Sequence, residues 1–173
     1  PLKVETIRRD FPIFKNNPAL IFLDNASTTQ KPHQVMQAMQ TYYEEYNANV
    51  HRGIYTLSEE STKLYENGRK AVARFINAPA NKIVFTKGAT ESLSLVAHGL
   101  QLTEKDEVIV SIMEHHSNMV PWQQTKANVK YAPMKDGKLD MEALEKLITP
   151  ATKVISVGHI SNAIGVENPI KEI

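Results

Sequence analysis

Residues 83–100 constrain the fold of this chain more strongly than any other stretch. The β-branched and aromatic run at residues 83–86 is typical of a buried strand, and the apolar residues after Gly88 recur at helical spacing. The sequence therefore predicts a strand, a tight turn and a helix. Gly88 can adopt a positive φ, and it lets a ligand approach the backbone.

The start of this predicted helix is a candidate anion site. The first amides of a helix have no partner within the helix, and the helix dipole places partial positive charge there. Ala89 and Thr90 follow Gly88 directly, and the Thr90 hydroxyl adds a further hydrogen-bond donor. We interpret this turn as a phosphate site; an ordinary strand-to-helix turn is the alternative.

Strands and helices alternate through the remainder of the second half. The unbroken apolar run Val108-Ile109-Val110 predicts a strand at residues 107–112. Two more strands are predicted at residues 129–132 and 154–157, and helices are predicted near residues 120–126 and 140–148. Apolar runs of this kind are typical of parallel strands that are covered on both faces. The pattern predicts an α/β fold with three layers and a mostly parallel, doubly wound sheet. Asp136 and Gly137 are predicted to form a turn.

The first half predicts mainly helices. A short helix is expected from Val4 and should end at Pro12, and a small strand is expected at residues 20–23. A helix from Pro32 carries an apolar stripe that we assign to the core. Thr56 and Glu59 have the spacing of a capping box at the start of a long helix that reaches Phe75.

Composition excludes several classes of protein and site. The 173 residues are 42% hydrophobic and carry a net charge of +1 with interspersed signs, so neither a nucleic-acid partner nor a membrane surface is expected. No apolar run approaches the roughly 20 residues of a membrane span, and we expect a cytoplasmic protein. The chain contains no cysteine, which excludes disulfides, thiolate metal sites and a thiol nucleophile within it.

Three polar segments are predicted at the carboxyl ends of the strands, where ligands bind in such sheets. They are Gly88-Ala89-Thr90, the segment 114–118 and the segment 159–162. His115 can stack on a flat ring, and Asn162 can hydrogen-bond a ring substituent. Together with a phosphate anchor these groups describe a pocket for pyridoxal 5'-phosphate (PLP) that lacks its lysine and its ring-nitrogen carboxylate. A structural histidine and a turn-forming asparagine are the alternatives.

A metal site is a poorer interpretation of the adjacent His115 and His116. Neighbouring side chains in an extended segment point to opposite sides, and no second histidine at chelating spacing accompanies them.

A second polar loop places His51 and Arg52 together, and loops of this kind often carry binding groups. The alternative is that the pair is solvent-exposed and has no binding role.

Five motifs in order give the chain a resemblance to a known family. It resembles the cysteine desulfurases among the class V aminotransferase-like PLP enzymes, and most closely the SufS/CsdA-type group, over nearly its whole length. The motifs are residues 23–32 (Leu-Asp-Asn-Ala-Ser-Thr-Thr-Gln-Lys-Pro), 49–53 (Asn-Val-His-Arg-Gly), 88–91 (Gly-Ala-Thr-Glu), 113–118 with 120–123 (Met-Glu-His-His-Ser-Asn and Val-Pro-Trp-Gln) and 161–165 (Ser-Asn-Ala-Ile-Gly).

The resemblance implies a fold type I PLP enzyme that is a homodimer. Such an enzyme takes sulfur from L-cysteine, leaves L-alanine, and passes the sulfur through an enzyme persulfide to an acceptor protein of iron-sulfur cluster assembly. Residues 1–20 would be an N-terminal helical segment, and residues 21–173 would be the N-terminal part of the PLP-binding large domain.

The resemblance also implies roles for individual residues. Ala89 and Thr90 would bind the cofactor phosphate, and His115 would stack on the ring and transfer protons, with His116 the less favoured of the pair. Asn162 would contact the ring hydroxyl and the substrate carboxylate. The residues that would line the substrate entrance near the dimer interface are Asn25, Ala26, His51 and Arg52.

The family's PLP lysine, ring-nitrogen aspartate, substrate-binding arginine and nucleophilic cysteine would all follow Ile173. The chain begins at Pro1 and stops soon after Pro169, so we expect a piece of a longer enzyme that is inactive alone. Two alternatives remain: a related class V enzyme such as a selenocysteine lyase, and a non-catalytic module that binds a phosphate-containing ligand.

Overall fold

A three-stranded parallel sheet forms the centre of the second half of the chain, with strand order β2-β1-β5. Its strands are β1 (Glu107–Ser111), β2 (Asn128–Ala132) and β5 (Thr152–Ser156). Val108 pairs with Val129 on one side and with Val154 on the other.

The computed structural model describes residues 2–173. These residues divide into two compact units, one that ends at Val84 and one that comprises Phe85–Ile173, and each is described by itself.

The central strand β1 is buried on both faces, as its apolar run predicts. Val108 and Val110 pack with Ala97 and Trp122, whereas Ile109 packs on the opposite face with Leu144 and its neighbours. This alternation follows the two-residue period of a strand. Each buried side chain of this size contributes about 1.5–3 kcal/mol relative to an exposed one.

Helices cover both faces of the sheet and produce the predicted three layers. The helices α5 (Ala89–Gly99) and α6 (Val120–Gln123) contribute Ala97 and Trp122 to one face, and α7 (Met141–Leu147) contributes Leu144 to the other. Before α7, the chain forms a hairpin of β3 (Met134–Lys135) and β4 (Lys138–Leu139). Asp136 and Gly137 both have positive φ there, so the predicted turn is confirmed.

The first unit is helical. Its helices are α1 (Val4–Arg8), α2 (Pro12–Asn16), α3 (His33–Thr41), which continues as a π-helical turn at Tyr42–Tyr46, and α4 (Thr56–Phe75). A short 3-10 turn, Ala80–Lys82, follows α4. Among the described residues 2–173, no helix is both long enough and apolar enough to cross a membrane.

Several predictions for the first unit are wrong in detail. Pro12 begins α2 instead of only ending α1, because proline is well accommodated in the first turn of a helix. Thr56 is the first residue of α4, with Tyr55 at the N-cap and no side-chain cap bond, so the capping box is absent from this described helix. The apolar stripe of α3 is not core either: Val35, Met36 and Met39 are 43–57% exposed. Periodicity identifies the apolar face of a helix but not the element that covers it.

Two predicted strands are also wrong. In the described residues 2–173, neither residues 20–23 nor residues 83–86 belong to a strand. Ile83 does have extended dihedral angles, as a β-branched run favours. A strand additionally needs a hydrogen-bonded neighbour, and local composition does not specify one.

The polar side chains at the amino end of the sheet join all three strands. The Glu107 carboxylate at the start of β1 pairs with Lys130 of β2 at 2.7 Å between Oε2 and Nζ. It also accepts hydrogen bonds from the hydroxyls of Thr149 and, at 3.4 Å, Thr152 of β5. The hydrogen bonds from Lys130 and then Thr149 lower the pKa of Glu107.

This lowered pKa predicts an acid-sensitive contribution to stability. A carboxyl group with a depressed folded-state pKa stabilises the fold above its unfolded-state pKa, and the contribution disappears as pH falls through the folded-state value. We expect Glu107→Gln to be less stable than wild type near pH 7, with the difference shrinking as pH falls below about 4.3. Urea unfolding of both proteins at several pH values measures this difference in the free energy of unfolding. Glu104→Gln, an exposed change nearby, is the control; an equal pH dependence in all three proteins would contradict the assignment.

Candidate functional site

A cavity of about 330 Å³ lies where the strands β1 and β5 end. Its wall includes side chains that follow both strands, as expected for a parallel sheet with its ligand site at the carboxyl edge. The lining residues are Leu93, Met113, Glu114, His115, Asn118, Ser156, Val157, Gly158, Ile160, Ser161, Asn162 and Asn168. Two residues singled out from the sequence, His115 and Asn162, are therefore at one cavity.

Hydrogen bonds from Ser117 determine the tautomer of His115. The Ser117 amide donates to His115 Nδ1 at 3.1 Å, and the Ser117 hydroxyl lies 2.8 Å from the same nitrogen. Because a backbone N–H can only donate, Nδ1 accepts, and the neutral imidazole carries its proton on Nε2. His115 therefore has an N–H donor at Nε2, and the contacts of Nδ1 with Ser117 fix the orientation of its ring.

The His116 ring does not form a chelating pair with His115. The two ring centroids are 6.1 Å apart at a 51° tilt, and His116 is the first residue of the 3-10 turn His116–Asn118. Within residues 2–173, no group of three or more histidine, cysteine or acidic side chains is placed to hold a metal.

Asn162 lies at the tip of a loop that folds back on itself. The Ser161 amide donates to the Val166 carbonyl at 2.9 Å, and Gly165 turns the chain with φ of 69°. Asn168 closes the base of the loop by donating from Nδ2 to the Gly158 carbonyl at 2.7 Å. These hydrogen bonds fix the base of the loop that carries Asn162.

Asn168 is a cavity residue that sequence reasoning missed. It is only 3% exposed, and its Oδ1 is a buried acceptor without a hydrogen-bond partner. Unsatisfied buried polar atoms are rare in proteins, so Oδ1 is available to a donor. The only signal in the sequence was its place in an Asn-Pro pair after the glycine turn.

A chain of hydrogen bonds in the cavity wall was also missed. Glu114 Oε1 accepts from the Ser111 hydroxyl at 2.7 Å and from the Gly158 amide at 2.9 Å, and Oε2 accepts from Asn118 Nδ2 at 2.7 Å. Asn118 Oδ1 in turn accepts from Ser156 at 2.5 Å and Trp122 at 3.2 Å. These side chains connect the end of β1 with the end of β5, a long-range contact that no local pattern predicts.

The candidate phosphate site at the start of α5 is open. Ala89 and Thr90 are exposed in the first helical turn and are not among the cavity lining; Leu93, one turn further along the helix, is. Gly88 does not use the left-handed conformation that glycine permits, because its φ of 160° is extended backbone. A Cβ at Gly88 would meet nothing within 4 Å, so the space before these amides is free. The Glu91 carboxylate accepts from the Lys87 amide at 2.6 Å.

The four predicted substrate-entrance residues lie in the first unit. Asn25 and Ala26 occupy a turn in which the Ser27 and Thr28 amides donate to the Asp24 carbonyl. His51 has a strained positive φ of 73°, and its amide donates to Thr62 Oγ1 at 2.8 Å.

The His51 side chain is paired, whereas Arg52 is exposed. His51 Nε2 lies 2.9 Å from Glu66 Oε1, and Arg69 also contacts that carboxylate. The hydrogen bond from His51, and to a lesser extent the charge of Arg69, lower the pKa of Glu66. These contacts hold the loop that contains His51 and Arg52 against α4.

Comparison with known proteins identifies relatives along the whole chain. The chain is 46% identical to a probable cysteine desulfurase of Streptomyces coelicolor over 99% of its own length and 45% of that protein. It is 44% identical to a probable cysteine desulfurase of Staphylococcus aureus over 94% of its length and 42% of that protein. The chain thus spans under half the length of the curated relatives it matches.

Solved structures give the same result. The apo structure of a cysteine desulfurase from Thermococcus onnurineus matches 97% of this chain and 43% of that protein, with a TM-score of 0.88 and 39% identity. The cysteine desulfurase CsdA from Escherichia coli matches 98% of this chain and 44% of that protein, with a TM-score of 0.81 and 37% identity. The fold is therefore that of fold type I PLP-dependent enzymes, as the sequence resemblance implied.

The family model for class V aminotransferases matches residues 21–173, which includes the parallel sheet, the cavity at its carboxyl edge and the start of α5. On this match and on the structures above, the chain belongs to the aminotransferase class-V family.

Proposed function

We propose that the protein containing this chain is a PLP-dependent cysteine desulfurase that converts L-cysteine to L-alanine. The observation that carries the proposal is that His115 and Asn162, which come from different loops, line one cavity at the carboxyl edge of the sheet. The matched curated relatives are named as probable cysteine desulfurases, and one similar solved structure, SspA, is described as a complex with cysteine.

The residues at the cavity fit PLP chemically. An imidazole suits the face of a pyridine ring, the apolar side chains of Leu93, Met113 and Val157 suit its hydrocarbon edge, and the Asn162 amide suits its phenolic oxygen. The open first turn of α5, with Ala89 and Thr90, suits its phosphate. When bound, PLP supplies an electron sink for bonds at the substrate α-carbon.

Within this proposal each residue has a defined task. Thr90 and the amide of Ala89 would bind the phosphate, and Asn162 would orient the ring and the substrate carboxylate. His115 would act as a proton carrier: from the doubly protonated ring, Nε2 gives a proton to a neighbouring atom and leaves a neutral imidazole, which can take the proton back at the same nitrogen. The Ser117 hydroxyl, 2.8 Å from Nδ1, can accept a hydrogen bond from the second ring proton. His116 would have no direct task.

The wider assignments extend the proposal further. Asn25, Ala26, His51 and Arg52 would line the substrate entrance next to the second subunit of a homodimer. The sulfur would leave as a persulfide on a cysteine outside this chain, which has none, and would pass to an acceptor protein for iron-sulfur cluster assembly in the cytoplasm. Exposed apolar residues of α3, such as Met39, are available for burial by other parts of such an assembly.

The direct test measures cofactor, product and sulfur in the same preparation. The full-length gene product should purify with the visible absorbance of bound PLP, and adding L-cysteine should release alanine and, with a thiol reductant, sulfide in equal amounts. L-selenocysteine in a parallel reaction identifies a selenocysteine lyase if it is the much better substrate. Absence of PLP, or PLP with no alanine formed from L-cysteine, would contradict the proposal.

Replacing His115 tests its role in proton transfer. We expect His115→Ala in the full-length protein to lower kcat by about 10²- to 10⁴-fold, the range for loss of a general acid or base, with an unchanged circular dichroism spectrum. His116→Ala is the matched control and should retain most activity. Equal effects of the two substitutions would refute the assignment of His115.

Removing the Thr90 hydroxyl tests the phosphate site. A hydrogen bond to a charged group contributes about 1.5–3 kcal/mol, so Thr90→Ala should weaken PLP binding on the order of tenfold or more, whereas Thr90→Ser should restore it. Ser94→Ala is the control, because the Ser94 hydroxyl donates to the Thr90 carbonyl within the helix at 2.8 Å. Equilibrium dialysis gives the PLP dissociation constant of all four proteins. A wild-type dissociation constant in Thr90→Ala would contradict the assignment of the phosphate to this turn.

A further inference from the structure

Glu114 connects the two loops that contribute His115 and Asn162 to the cavity. It precedes His115 directly, and its Oε1 accepts the amide hydrogen of Gly158, four residues before Asn162. The Gly158 carbonyl is in turn the acceptor for Asn168 at the base of the Asn162 loop. One side chain thus links the end of β1 to the loop that follows β5.

The donors around Glu114 require an acceptor at both of its oxygens. Trp122 Nε1 can only donate, so the atom of Asn118 that faces it must be Oδ1, and Asn118 Nδ2 must face Glu114 Oε2. The Gly158 amide can only donate to Oε1. A carboxylate satisfies both requirements, whereas a glutamine amide would set its own NH₂ group against that of Asn118.

We propose that Glu114 is a positioning residue for the active site, and that it holds His115 and Asn162 at one cavity through this directional set of hydrogen bonds. The inference rests on the proposed function, since it assigns the cavity to PLP. Hydrogen bonds that a carboxylate accepts are stronger than neutral ones, and the set joins segments that are 44 residues apart in sequence. Loss of the correct polarity at residue 114 therefore releases one loop from the other.

A second substitution, at Asn118, should rescue the first. In Glu114→Gln two NH₂ groups oppose each other, and in Asn118→Asp two carboxylates do. In the double variant, the NH₂ group of the introduced glutamine donates to one oxygen of the introduced aspartate. The other aspartate oxygen still accepts from Trp122, and the glutamine carbonyl oxygen still accepts from the Gly158 amide. We expect each single substitution to weaken PLP binding on the order of 10- to 100-fold, as for loss of a hydrogen bond to a charged group. The double variant should recover most of that loss.

Two measurements on the full-length protein test this. Equilibrium dialysis gives the PLP dissociation constant. The NMR resonance of the Trp122 indole N–H, assigned by its loss in Trp122→Phe, reports the hydrogen bond to Asn118 in protein without cofactor. Trp122 is the only tryptophan of the chain and is 2% exposed. The resonance should shift in both single variants and return in the double variant. Glu145→Gln, an exposed change of the same chemistry, is the control and should alter neither measurement.

Each outcome decides between support and refutation. Joint recovery of affinity and resonance in the double variant supports the proposal. Recovery of the resonance with equal PLP affinity in all variants refutes positioning by Glu114 and leaves the proposed function intact. Failure of the wild-type protein to bind PLP refutes the proposed function and this inference with it. If Glu114→Gln does not fold, a folded double variant with wild-type affinity supports the proposal, and an unfolded or weak-binding double variant refutes it.

Discussion

The central strand β1 is hydrogen-bonded to a parallel neighbour on each side and covered by helices on each face, and the candidate site depends on this arrangement. Parallel strands end at the same edge of the sheet, so the loops after β1 and β5 leave the sheet side by side. His115 follows the first strand and Asn162 the other, and they reach one cavity for that reason. The buried strands also support these loops, because loops anchored on packed elements hold their side chains more precisely than free loops do.

Polar networks hold the same strands together at both ends of the sheet. At the amino end the Glu107 carboxylate joins β1 to β2 and β5, and at the carboxyl end the Glu114 carboxylate joins β1 to the segment after β5. Each carboxylate accepts from two or more donors at once, and such sharing aligns neighbouring elements as well as stabilising them. The first network lies away from the cavity and supports the fold, whereas the second forms part of the cavity wall.

Much of the second unit could be predicted because its signals are local. The run at residues 108–110 specified a strand buried on both faces, and Asp136-Gly137 specified a turn. The extended run at residues 83–86 misled because a strand requires a partner as well as a conformation. The apolar stripe of α3 misled for a related reason: its period identifies a face, and Met39 on that face remains exposed in this chain.

The sequence by itself determined the family and the α/β class and supplied the candidate site residues, because motif order, strand composition and helical spacing can all be read from consecutive residues. Only the tertiary structure decided which of those residues meet at one cavity. It also revealed Asn168 with its unpaired buried oxygen and the Glu114 network. These depend on contacts between segments up to 44 residues apart, and such contacts arise when the sheet assembles and brings its strand ends together.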